Sequence, residues 1–131
     1  MVKYTGKDGK EYILRFDMSA MEAIRDKFGG VQEGMQKLQT NDIGIILDIF
    51  VILAQAGAEF VAEQEGKTFI EKITGEGLLT KHSSIGRVKA MAKAIQEAVI
   101  DGNRMQSKDE EDDQIRDGYL KELQEQEKEK N

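Results

Sequence analysis

A chain of 131 residues holds about one domain's worth of sequence, and its 39% apolar and 34% charged residues describe a polar-rich globular protein. There is no cysteine, proline or tryptophan, and His82 is the single histidine. Disulfides, thiolate zinc sites and a cysteine nucleophile are thereby excluded, and one imidazole leaves few means of acid–base chemistry near neutral pH. The composition points to a protein that is not an enzyme and has no catalytic, cofactor or metal residues.

Charge divides the chain unevenly. Nineteen bases and 25 acids give a net charge of −6, and residues 107–131 hold ten of those acids against five bases. A nearly neutral body, 1–106, is read as a single globular domain, and 107–131 as an acidic tail, helical or disordered. Neither offers the basic footprint that binding to nucleic acid requires, and no basic amphipathic stretch suggests a membrane surface. The start, Met1 to Gly6, lacks the apolar run of a secretory signal. With no cysteine to stabilise by oxidation, a cytoplasmic location is expected.

In chain order, Val2–Thr5 and Tyr12–Phe16 are β-type runs about an Asp8-Gly9 turn, a strong hairpin signal. Ser19 and Glu22 form a capping box for a first helix, with Asp17 as the rival cap, and Gly29-Gly30 stops it. Val31, Met35 and Leu38 suggest a short second helix. Asp42 caps a third, over 43–63, whose isoleucines, leucines and valines surround nearly its whole circumference. Ile43 to Ala58 is shorter than a bilayer span needs, so it reads as a buried helix or an oligomer interface. Thr68 and Glu71 suggest a further capped helix through Ile73. Ser83 or Ser84 opens the last clear helix, with a seam at Ile85, Val88, Ala92, Ile95 and Val99 and a stop at Gly102. The expected fold is α+β and mostly α-helical: an N-terminal β-hairpin, then four to five helices, then the acidic tail.

Motifs that hint at chemistry fail on spacing. Gly66-Lys67-Thr68 lacks the earlier glycine and preceding strand of a phosphate loop, and reads as a helix end followed by a new cap. Asp109–Asp113 lacks the glycine and glutamate of a calcium loop. His82 has no second His or Cys near it for a metal. Met18, Met21, Met35, Met91 and Met105 read as core filler or as an adaptable binding surface.

Tyr4-Thr5, Gly9 through Asp17, Met21-Glu22-Ala23-Ile24 and Lys27-Phe28-Gly29 together resemble the opening of the tail assembly chaperones of long-tailed, siphovirus-type phages and Gram-positive prophages. The likeness extends through Ala54-Gln55-Ala56-Gly57-Ala58-Glu59 and Met91 to Val99, and so covers about the first 105 residues. It implies a non-enzymatic factor in the host bacterial cytoplasm that binds the tape measure protein, keeps it soluble and recruits tail tube protein. It also implies that many such chains have a longer frameshifted form, and it carries no catalytic residues. The alternatives are a structural tail or connector component and a small cytoplasmic interaction adaptor. A homo-oligomer is one way to cover the apolar third helix. Ile46, Phe50 and Leu53 are the candidate protein contacts, with plain core as the competing reading, and Ile115, Tyr119 and Leu123 form a second stripe.

Overall fold

Asp8 and Gly9 reverse the chain as their sequence foretells. Gly9 adopts φ 81°, the Gly6 N–H donates to the Lys10 carbonyl at 2.8 Å, and Asp8 accepts from the Lys10 N–H at 3.0 Å. This sets the register of β1 (Val2–Thr5) against β2 (Glu11–Leu14), with Val2 opposite Leu14 and Tyr4 opposite Tyr12. The computed structural model describes residues 1–104, so Met105, the acidic tail and the stripe Ile115, Tyr119 and Leu123 lie outside them. Helices α1 (Met18–Phe28), α2 (Val31–Leu38), α3 (Ile43–Gln64) and α4 (residues 85–104) complete an α+β, mostly helical architecture.

Asp17, rather than Ser19, caps α1. Its Oδ1 accepts from the Ala20 N–H at 3.1 Å and from the Ser19 hydroxyl at 2.7 Å. Its Oδ2 takes the Arg15 guanidinium at 3.1 Å, and that guanidinium lies 3.6 Å over the Phe60 ring of α3. A carboxylate with two oxygens serves both the helix and the arginine, which a serine hydroxyl cannot do. Gly29 ends α1, and Asp42 caps α3 through the Ile45 N–H at 3.2 Å. Ser84 caps α4 by accepting from the Arg87 N–H at 3.2 Å.

The core gathers around α3. Phe50 is fully buried between Tyr4 and Tyr12, edge-on to each at centroid distances of 5.0 and 5.7 Å. Leu14, Phe16, Ile24, Ile46, Ile49, Leu53, Met91 and Ile95 fill the rest. The outer edge of β2 lies directly on α3: the Arg15 N–H donates to the Leu53 carbonyl at 3.1 Å. A Cβ at Gly57 would fall 1.8 Å from the Ile13 carbonyl oxygen, so only glycine admits this approach. The last seam is turned from its expected position. Met91, Ala94, Ile95 and Ala98 face the core, whereas Ile85 is 75% exposed. Gly102 does not end α4, which runs through residue 104. Instead it is buried where a Cβ would meet the Phe16 carbonyl at 2.3 Å.

No helix forms at 68–73. After α3, Gly66 takes φ 72°, its N–H donates to the Glu63 carbonyl and that of Lys67 to the Ala62 carbonyl. This double bond pattern closes the helix. The chain from Lys67 to Thr74 then forms neither helix nor strand. A single turn with Thr, Phe and two Ile is a poor isolated helix, and tertiary contacts take it as irregular chain.

Gly57→Ala is expected to destabilise the fold by about 1–3 kcal/mol or more through overpacking against a backbone that cannot yield. Gly44→Ala, in the exposed first turn of the same helix, should stay within about 1 kcal/mol of the parent. Urea unfolding midpoints compare the two.

Candidate functional site

Ile46, Phe50 and Leu53, expected as candidate contacts, are 2%, 0% and 0% exposed. They face the hairpin and the other helices of their own chain, so the competing core reading is the correct one for all three. Ile115, Tyr119 and Leu123 fall outside the described residues. Helix α3 is long and apolar enough to cross a bilayer by length and composition, yet this face of it is packed inside the fold.

The opposite face of α3 is less well covered. Val51, Ile52, Ala58 and Ala62 are only half-buried, with α1 beside Val51 and Ile52, and Val61 is half-buried on the side nearer the hairpin. What crosses them is the segment after Gly66. Phe69 meets α3 near Ala58, Val61 and Ala62, and Ile73 sits near Ile52 and Gln55. A Cβ at Gly75 would touch Leu47, and Leu78 is buried. The segment thus runs back along α3, antiparallel to it. At roughly 3.3 Å per residue, Lys67 to Gly75 reaches about 26 Å, which matches the roughly 22 Å of helix axis between Leu47 and Ala62.

Gln55 holds this strap. Its Oε1 accepts from the Ile73 N–H at 2.8 Å, and its Nε2 donates to the Glu71 carbonyl at 2.9 Å. A side-chain amide carries one acceptor and two donors, so it can pair with backbone groups as a neighbouring strand would. The second Nε2 hydrogen reaches Glu59 at 3.1 Å.

Open grooves flank the strap. One, of about 350 Å³, lies between β2, the C-terminal half of α3 and Phe69; another, of about 300 Å³, lies between α1 and α3 beside Ile52. A third, of about 540 Å³, continues the first between the Asp8–Tyr12 turn and the strap. Ile73 lines all three. Their rims carry Asp8, Glu11, Glu59, Glu65, Glu71 and Glu76 against Lys10, Lys67 and Lys72, an acidic balance. Among the described residues no group of three His, Asp or Glu side chains gathers to hold a metal ion. Of the methionines, Met91 is core and Met18 is 79% exposed.

The sequence alone gives little sign of the strap and its latch. The available signal is Gln55 itself, an amide inside an otherwise apolar run.

Tyr12, on the groove wall, has its phenol pKa raised above 10.0, first by burial and then by the charge of Asp8 and its hydrogen bond to that carboxylate. The folded chain therefore holds the phenol proton more tightly than the unfolded one. That contribution to stability is complete below about pH 10 and is lost as pH rises through the higher folded value. Asp8→Asn should lower the Tyr12 midpoint without restoring the free-phenol value, read by phenolate absorbance with Tyr12→Phe to assign it. A midpoint indifferent to Asp8 would contradict this cause. Phe50→Asp, which buries an unpaired charge among aromatic rings, should remove the cooperative thermal transition seen by circular dichroism.

Compared with family models, with curated proteins and with solved structures, the chain matches none.

Proposed function

We propose that this chain is a non-enzymatic assembly factor of the tail assembly chaperone type: it holds the tape measure protein soluble and recruits tail tube subunits. The outward face of α3 carries this reading. Val51, Ile52, Ala58 and Ala62 give it half-buried apolar surface, and grooves open on two sides of it. The phrase Ala54 to Glu59, part of the family resemblance, lies on this stretch of α3 and includes the latch residue Gln55, the strand seat Gly57 and the groove residue Ala58.

The energetics suit holding followed by release. Each large apolar side chain moved from water into such a groove contributes about 1.5–3 kcal/mol. Association and ordering oppose this by roughly 4–15 kcal/mol. A client helix offering four or five such side chains is therefore held reversibly, and polymerising tube subunits can displace the holder. The acidic rim keeps an apolar surface soluble meanwhile.

The test is co-expression with a tape measure protein from the same genome. The client should move to the soluble fraction and co-purify with this chain. Ala58→Glu, which puts a charge in the groove at a half-buried helical position, should abolish retention while preserving the helical spectrum. A client equally soluble alone, or retained by the variant, would overturn the proposal. Finding the chain in purified mature particles would point instead to a structural component.

A further inference from the structure

We infer that residues 68–74 are a displaceable strap that covers the client's site on α3, that Gln55 is its latch, and that the segment replacing it is an apolar helix flanked by basic side chains. The inference deepens the function proposed above and rests on it for the identity of the natural client.

The strap is lightly held. Among the described residues, no backbone N–H or C=O from Thr68 to Thr74 bonds another backbone group. Its polar attachment is the pair of bonds from Gln55. Its apolar attachment is Phe69 and Ile73, each half-buried, while Ile70 between them is 87% exposed. By contrast, the chain on either side is firmly placed, through the helix closure at Gly66 and through buried Leu78. A segment fixed at both ends and loosely tied between them can lift without unfolding the core beneath it.

Lifting it joins the grooves. Because Ile73 lines each of them, its removal leaves one trough along α3 from Val51 to Ala62, roughly 16 Å or three helical turns long. The strap also displays the chemistry of what it replaces. Phe69 and Ile73 are its apolar anchors; at about 3.3 Å per residue they stand roughly 13 Å apart, a separation that positions about i and i+8 approach along a helix. Glu71 and Lys72 stand between them, with Lys67 at the fixed end of the segment. Lifting the strap removes Glu71 and Lys72 together, and the trough keeps Asp8, Glu11, Glu59, Glu65 and Glu76 against Lys10 and Lys67, a rim complementary to a cationic partner. Helix-in-groove binding with anchors at i, i+4 and i+7 fits this trough.

The experiment uses the full chain and a fluorescent synthetic helix with a leucine stripe at that spacing and lysines on both flanks. While the strap is down, apparent affinity is reduced by the fraction of molecules with it open. Gln55→Ala should therefore bind the peptide about tenfold tighter or more, with faster hydrogen exchange at the Ile73 amide and an unchanged helical spectrum. Phe69→Ser with Ile73→Ser, which leaves α3 intact, should do the same. Replacing the peptide's lysines by glutamates should weaken binding at low salt. If neither variant binds more tightly, or the glutamate peptide binds as well as the lysine one, the inference falls. Self-association of Gln55→Ala without peptide uptake would make a second copy the occupant and also overturn it. Unchanged peptide affinities with the tape measure protein still retained would sink the strap alone. Tighter peptide binding with no retention of that client would sink only the functional reading.

Discussion

A two-stranded hairpin is marginal in water, and here its persistence depends on the bare backbone of α3 at Gly57. The Ile13 carbonyl settles against that glycine and the Arg15 N–H bonds the Leu53 carbonyl, so the helix covers a strand edge that would otherwise be open. Phe50 then fits between the two tyrosines of the hairpin, and the end of β2 is fixed where Arg15 can serve Asp17 and stack on Phe60. The start of α1 follows from that arginine. One missing side chain thus sets the geometry of strand, helix and cap together.

The exceptions along α3 repay attention more than its apolar majority. In a run dominated by isoleucine, leucine and alanine, Asp48, Gln55 and Gly57 each mark a neighbour. Asp48 pairs with Lys27 of α1 at 3.7 Å, Gln55 ties down the strap, and Gly57 seats the strand. Each is a place where an apolar side chain would have packed nothing or blocked something. The inward face is thereby committed to this chain's own core, and the outward face is left half-covered by a segment that has little else to hold it.

Local chemistry made much of this architecture legible in the sequence. Asp8-Gly9, Gly29, Asp42 and Ser84 act through bonds to residues within a turn of themselves, and those signals need no knowledge of the fold. Reading failed where distant groups decide. Ser19 loses the cap because Arg15 and Phe60 favour Asp17. Gly102 looks like a stop, but it is a close approach to Phe16. The α4 seam turns because small residues, Ala94 and Ala98, let that face come nearer the core than Ile85 could. The pair Thr68 and Glu71 resembles a cap, yet the backbone there is claimed by an amide 16 residues earlier. The candidate contacts Ile46, Phe50 and Leu53 rest on hydrophobicity alone, which cannot tell the inner face of an all-apolar helix from the outer.

On the function proposed here, the working surface is the side of α3 where burial is incomplete, and its chemistry would be the sharing of apolar surface with a helical partner. The most direct measurement places a photoreactive phenylalanine analogue at Val61, on the groove wall, in cells producing the tape measure protein. Illumination should join the two chains, with the adduct mapping to an apolar helical stretch of the client bordered by lysine or arginine. The same probe at Gly9, on the hairpin turn, should give no such adduct. Equal cross-linking from both positions, or none from Val61 while the client stays soluble, would contradict the assignment of this surface.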